Sequence, residues 1–238
     1  MWETVAEEQA AFVEGRHMSD LILIANEVVE AVSKSGEEGV VLKLDLEKAY
    51  DRVNWEFLDF VLAKKGFDPR WRKWISGCLS SSSISVIVNG KPREKLLCSR
   101  GLRQGDPMSP FLFTLVADVL SRMISRDCAS GSFTPLYVGA ERLPISHLQF
   151  ADDTLIFGHN SQANWSHLHN TVKLFCEVSG LKVNLPKSSF VGLEVPEGAR
   201  IFMAPDHKGY PRSQGQRFRP RDRLLFYAPK PLEICFLS

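Results

Sequence analysis

Two adjacent carboxylates, Asp152 and Asp153, stand between two short apolar runs, Leu143-Pro144-Ile145-Ser146-His147-Leu148-Gln149 and Thr154-Leu155-Ile156-Phe157. β-prone runs on both sides of a small acidic centre predict a hairpin with the acids at its tip. Neighbouring side chains of an extended strand point to opposite faces. One hairpin therefore cannot aim both acids squarely at one ion, and a third carboxylate must come from elsewhere. The candidate is Asp45, which ends the run Val40-Val41-Leu42-Lys43-Leu44. In that strand Leu42, Leu44 and Leu46 share one face, and Val41, Lys43 and Asp45 share the other. The working expectation is a cluster of Asp45, Asp152 and Asp153 that holds Mg²⁺ for phosphoryl chemistry. Adjacent acids also occur in ordinary turns, because Asp favours turns through local hydrogen bonds. The apolar flanks weigh against that plainer account here, since an ordinary turn gives little reason to set two unpaired acids between hydrophobic runs.

The remaining composition sets bounds. With 238 residues, 44% hydrophobic and 24% charged, the chain has a globular composition and enough apolar residues for a sizeable core. A net charge of +1 decides nothing about nucleic acid, because a basic face can hide in a balanced total. Five scattered cysteines with no C-x-x-C fit a reducing, intracellular setting better than a disulfide framework or a zinc site. Met1-Trp2-Glu3-Thr4 leads into Glu7 and Glu8, which does not read as a signal peptide. No stretch is apolar enough to span a bilayer.

Along the chain, Ser19 or Asp20 caps a helix to about Ser33, with Leu21, Ile24, Val28 and Ala31 on one face. A turn from Gly36 to Gly39 leads into the Asp45 strand. Asp51 or Asn54 caps the next helix, whose apolar side is Phe57, Leu58, Val61 and Leu62, and Gly66 ends it. Trp71 and Trp74 mark a short helix. Ile84 to Val88 is a strand followed by an Asn89-Gly90 hairpin turn. Gly101 to Pro110 leads into a helix with Leu112, Leu115, Val116, Val119, Leu120 and Met123 on one stripe. Trp165, Leu168, Val172 and Phe175 mark another, stopped at Gly180, and Leu181 to Asn184 begins a last strand. Strands in one sheet with helices on one face give an α+β layer architecture. From about Pro196, prolines and the arginines 212, 217, 219, 221 and 223 predict an irregular or disordered basic tail.

Four segments then stand together: Leu44-Asp45-Leu46-Glu47-Lys48-Ala49-Tyr50-Asp51-Arg52-Val53-Asn54-Trp55, Gly101-Leu102-Arg103-Gln104-Gly105-Asp106-Pro107-Met108-Ser109-Pro110, Phe150-Ala151-Asp152-Asp153, and Gly180-Leu181-Lys182-Val183-Asn184 with Lys187-Ser188. In this order and spacing they resemble reverse transcriptases of non-LTR (LINE-type) retrotransposons, most closely those of plants. Gln9 to Glu30 also resembles the segment of the fingers just upstream, and the likeness covers roughly Gln9 to Gly192. It implies a right-hand polymerase palm, an antiparallel sheet with helices on one face, with part of the fingers. Residues 1–39 would then be a partial fingers segment, 40–194 the palm with a finger insertion around 66–100, and 195–238 the tail.

The resemblance implies further that Asp45 and Asp152 are the main ligands of two Mg²⁺ ions, with Asp153 beside them, the Leu46 carbonyl as an extra ligand and Mn²⁺ as a substitute metal. Tyr50 would lie under the incoming sugar and exclude a 2′-hydroxyl. Gln104 and Gly105 would approach the nucleotide or template, and Arg103, with Arg16 and Lys43, would meet phosphates. Lys187 would stand near the leaving pyrophosphate. The partners implied are an RNA template, a DNA primer and deoxynucleotides, with no membrane, in an intracellular and nuclear setting. Phe150 stands where many of the family have Tyr, a change that keeps the ring. The family's first fingers segment, endonuclease, thumb and Cys/His cluster are not recognised. An isolated chain of this span is therefore expected to extend primers poorly, because phosphate contacts supply much of the affinity. Two alternatives remain: a catalytically silent transposon-derived fragment that keeps the palm fold, and another two-metal phosphoryl enzyme on a similar sheet, such as a nucleotide cyclase. Tyr50 and the Gly101–Pro110 loop speak against the second.

Overall fold

In the computed structural model, which describes residues 4–194, the chain runs α1 (Met18–Ser35), β1 (Gly39–Leu44), α2 (Ala49–Arg52), α3 (Trp55–Lys64), α4 (Pro69–Ser80), β2 (Ser83–Val88), β3 (Lys91–Leu97), α5 (Ser109–Ala129), β4 (Leu136–Val138), β5 (Leu143–Ile145), β6 (His147–Phe150), β7 (Asp153–His159), α6 (Gln162–Ser179) and β8 (Ser189–Leu193). The tail expected from about Pro196 lies outside the described residues.

Three of the helices, α3, α4 and α6, begin at a side chain that accepts from their free backbone N–H groups. The Asn54 side chain accepts from the N–H groups of Glu56 and Phe57 and starts α3. Asp68 does the same for Arg70 and Trp71, with Pro69 at the first helical position of α4. Gly36 and Gly180 end α1 and α6 in the left-handed conformation, at φ 69° and 78°. Between Phe113 and Asp118 every residue of α5 is buried, so its first half is surrounded on all sides rather than striped.

The main sheet has the order β6-β7-β1-β8, and every neighbouring pair is antiparallel. Its central strand feeds two cores, because alternate residues face opposite ways. Val40, Leu42 and Leu44 join Leu58, Leu62, Phe113, Val116, Leu168 and Phe175 on the face covered by α3, α5 and α6. Val41 joins Val28, Val32, Leu148 and Phe157 under α1. α1 thus covers the beginning of β1 on the second face. Further along that face, Lys43 and Asp45 are only half-buried. The sheet is therefore sealed at one end and open at the other.

Four local features differ from the sequence-based expectation. α1 begins at Met18 after His17, so Ser19 and Asp20 lie inside its first turn instead of capping it. The run Leu143–Gln149 divides at Ser146: β5 pairs with β4 in a separate two-stranded ladder, and only β6 enters the main sheet. The segment Leu181–Asn184 forms a single bridge, Leu46 to Val183, instead of a strand. The last strand starts only after Pro186, which has no N–H to give a ladder, and pairs with β1 as β8. Finally, Asp51 does not cap α3 but lies within α2. The hairpin β2–β3 forms as expected around Asn89 and Gly90, both at positive φ. All of its strand residues are exposed.

His147 is a buried histidine with two partners. Its Nε2 lies 2.6 Å from Ser121 Oγ and its Nδ1 2.9 Å from Ser146 Oγ. Burial pushes its pKa down to about 4, against a small opposing pull from the Asp118 charge. A histidine depressed in the folded state contributes stability that is complete above its unfolded pKa near 6.5 and is lost as pH falls towards 4. At about 1.4 kcal/mol per unit, the ceiling is roughly 3 kcal/mol. The melting temperature is expected to drop more steeply between pH 6.5 and 4.5 in the native chain than in His147→Gln. Parallel pH profiles of the two proteins would contradict this assignment.

Candidate active site

The register of the sheet brings the acids together. Leu44 pairs with Thr154 on β7, so one further step sets Asp45 opposite Asp153. On the other side of β1, Lys43 pairs with Ser189, and Lys187, two residues before Ser189, lies close enough for its charge to act on Asp45. The central strand therefore ends in a carboxylate flanked by the acidic turn on one side and a lysine on the other.

The β6–β7 hairpin closes tightly. Phe150 pairs with Asp153, leaving Ala151 and Asp152 as the two turn residues. Ala151 sits at φ 54°, a conformation that glycine takes freely and a residue with a Cβ takes only under constraint. The turn places Asp152 off the ladder, so the alternation that separates Asp152 from Asp153 in a straight strand does not apply. This is how neighbouring acids come to share one end of the sheet.

Their electrostatics agree. Burial raises the Asp152 pKa above the usual carboxylate range, and the charges of Asp153 and Asp45 push it further, against a pull from Lys187. Asp45 is also raised, first by burial. Lys187 opposes this, Asp153 adds to it, and a hydrogen bond from the Asn184 side chain and the Lys43 charge oppose it. Lys43 Nζ lies 3.7 Å from Asp153 Oδ1. Among the described residues no three His, Cys, Asp or Glu side chains converge closely enough to cage a metal. The three acids are neighbours across an open end, not a closed ligand set.

The backbone of Asp45 is held by the segment before β8. Its N–H donates to Ser188 Oγ at 3.1 Å, and its carbonyl accepts from the Asn184 N–H at 2.9 Å. Asn184 and Ser188 thus orient Asp45. They carry no chemistry of their own, and only their place beside Lys187 flagged them in sequence. The Leu46 side chain is buried in the core, which leaves only its carbonyl for a ligand role. Lys187 is exposed.

Tyr50 stands beside these acids in the first turn of the short α2. Its ring stacks on Phe113 with centroids 4.7 Å apart. Burial, with a smaller contribution from the Asp152 charge, pushes its hydroxyl up to about 12, so it stays protonated. The Gly101–Pro110 loop is fastened to the same helix. Gly101 N–H donates to Val53 O at 2.8 Å and Leu102 N–H to Tyr50 O at 2.6 Å. Trp55 Nε1 donates to Gly101 O at 2.7 Å, and Gln104 Nε2 reaches Asp51 Oδ1 at 3.3 Å. Arg103, Gln104 and Gly105 are exposed. Arg16 is not free for phosphate. Its guanidinium donates to the carbonyls of Ala6 and Gln9, the latter at 2.6 Å, and so ties down the N-terminal segment.

A family model described as reverse transcriptase (RNA-dependent DNA polymerase) matches residues 1–217. A retrovirus-related Pol polyprotein from the type-1 retrotransposable element R2 of Popillia japonica is 33% identical over 162 residues, 68% of this chain and 22% of that protein. The transposon TX1 uncharacterized 149 kDa protein of Xenopus laevis is 23% identical over 187 residues, 79% of this chain and 14% of that protein. The chain thus spans only a small part of the length of these relatives. Among solved structures, apo telomerase from Candida tropicalis, truncated from its C-terminal domain, superposes with a TM-score of 0.54 at 13% identity. The match covers 78% of this chain and 36% of that one, and is a likeness of fold alone.

Proposed function

The chain belongs to the reverse transcriptase family, and we propose that the open end of its sheet is a nucleotidyl-transfer site. There it would add deoxynucleotides to a primer 3′-hydroxyl on an RNA template. The observation that carries this reading is the raised pair Asp45 and Asp152, with Asp152 sensing both other acids. Partly buried carboxylates that stay raised even with Lys187 and Lys43 nearby are suited to a cation. Mg²⁺ favours one or two carboxylates plus substrate phosphates over an all-protein cage, which fits acids that are neighbours but unclosed. Asp45 and Asp152, with Asp153 and the Leu46 carbonyl, would hold the metal. When bound, a metal pair supplies activation of the 3′-hydroxyl and neutralisation of charge on the leaving pyrophosphate.

The chain's own groups do the remaining work. Lys187, flanking Asp45, offers a cation and a proton to the leaving group. The Gly101–Gly105 backbone and the exposed Arg103 and Gln104 border the nucleotide and template. The protonated Tyr50 ring, fixed by Phe113, fills the space that a 2′-hydroxyl would need. Tyr50→Val is expected to raise ribonucleotide use relative to deoxynucleotide use by about 10–100-fold, the range over which a pocket discriminates a small group. Single-nucleotide incorporation with paired dNTP and rNTP substrates measures this, and an unchanged ratio would remove Tyr50 from the role.

A second reading is a silent palm that keeps only the fold. Primer extension on an RNA template with deoxynucleotides and Mg²⁺ separates the two. Template-directed extension supports the polymerase. A folded protein that yields no product supports the silent form.

A further inference from the structure

The acidic turn needs something to hold Ala151 in its unfavourable conformation, and the N-terminal segment supplies it. Residues just before α1 run beside β6 as an added edge. Gln9 and Gln149 form a parallel bridge, Gln149 N–H donates to Glu8 O at 2.8 Å, and Ala10 N–H donates to Gln149 O at 3.0 Å. Arg16 locks this segment from behind. The Gln9 side chain is fully buried. Its Oε1 accepts from the Ala11 N–H at 2.8 Å and from the Ala151 N–H at 3.3 Å. A buried amide in a tight turn that finds no acceptor costs about 1–3 kcal/mol, so this oxygen favours the turn as it stands.

We propose that Gln9 is a positioning residue for the acidic turn: its side-chain carbonyl, by holding the Ala151 N–H, fixes the backbone that presents Asp152. This rests on the reading of Asp152 as a metal-holding acid. It gives the segment upstream of α1 a direct part in presenting that acid, separate from any contact with a nucleic acid. The strain at Ala151 matters as much as the hydrogen bond. A residue that prefers negative φ, in a turn that requires positive φ, depends on an outside restraint. Glycine at that position would not.

That dependence makes the test. Mn²⁺ binding, followed by electron paramagnetic resonance, is compared in the native chain, Asp152→Asn, Gln9→Met, Ala151→Gly and the double variant Gln9→Met with Ala151→Gly. Gln9→Met is expected to weaken Mn²⁺ binding at least about tenfold, the effect of losing a group that orients a ligand. Adding Ala151→Gly is expected to restore most of that loss. Loss of core packing alone would not respond to glycine in a turn, so rescue separates positioning from general destabilisation. Native-like Mn²⁺ affinity in Gln9→Met, or a loss that Ala151→Gly leaves untouched, would overturn the proposal. Failure of the metal reading itself looks different: the native chain and Asp152→Asn would then bind Mn²⁺ alike. In that case, or if Gln9→Met does not fold, amide hydrogen exchange in the native chain decides. Protection of the Ala151 N–H comparable to that of Ala11 supports the restraint, and free exchange at Ala151 refutes it.

Discussion

Asp152→Asn is expected to abolish templated nucleotide addition while leaving the melting temperature unchanged or higher. The two effects have one origin. Burial and the charges of Asp153 and Asp45 hold the Asp152 carboxyl above its usual range, so in the metal-free protein its negative charge is a liability. Asparagine keeps the shape and removes that charge, which relieves Asp45 as well. The same charge is what a divalent cation would use. Charge stabilisation by a bound metal is worth several kcal/mol in the transition state. At 1.36 kcal/mol per tenfold, losing a principal ligand reduces the rate on the order of 10³-fold or more. Primer extension and thermal melting on the same preparations test both halves. An acid kept for structure would give the reverse pattern, with lost stability and retained turnover, and that outcome would remove Asp152 from the site.

Gly101→Ala is expected to be among the most damaging single substitutions, although it adds only a methyl group. Gly101 sits at φ +86°, and a Cβ there would stand 2.6 Å from the Asp51 carbonyl oxygen and 2.9 Å from its carbon. These are backbone atoms of α2 and cannot swing aside. A left-handed conformation costs an ordinary residue about 1–2 kcal/mol, and a forced overlap in a packed region about 1–3 kcal/mol more. At roughly 2–4 °C per kcal/mol for a chain of this size, the melting temperature should fall by about 10 °C. Gly105 provides the control. It has the same φ of +86°, but a Cβ at that position would meet nothing within 4 Å, so Gly105→Ala should cost only about 1 kcal/mol. Equal losses at the two sites would mean that conformation alone, and not the close approach to α2, sets the requirement for glycine at 101.

Much of this was legible in the sequence, for reasons that differ from residue to residue. The alternation in Val40–Leu46 separated a core face from the face bearing Lys43 and Asp45, and the structure divides them in that way. The caps at Asn54 and Gly180 and the turn at Asn89-Gly90 are local signals, and they act locally. Pairing across long distances was less accessible. Nothing in Leu181–Asn184 says that it will make one bridge and leave strand formation to Ser189–Leu193, because that choice depends on where β1 has a free edge. The off-ladder position of Asp152 depends on a positive φ at an alanine, which composition does not announce. The role of Gln9 is invisible for a related reason: its partner lies 142 residues away. The resemblance sets Arg16 against phosphate, whereas its guanidinium is taken up by carbonyls near its own segment.

The position of β1 at the middle of the sheet has a consequence for how the chain is made. Leu44 pairs with Thr154 and Lys43 with Ser189, so β1 leaves the ribosome long before either neighbour exists. At roughly 5–20 residues per second, the 110 positions from Leu44 to Thr154 take about 5–20 s to synthesise. Throughout that interval an apolar strand has both edges bare, the arrangement that most readily recruits another chain. Only the final strand closes its second side. Folding yield should therefore depend on translation speed and on chaperones that shield β1, more than on the stability of the finished sheet.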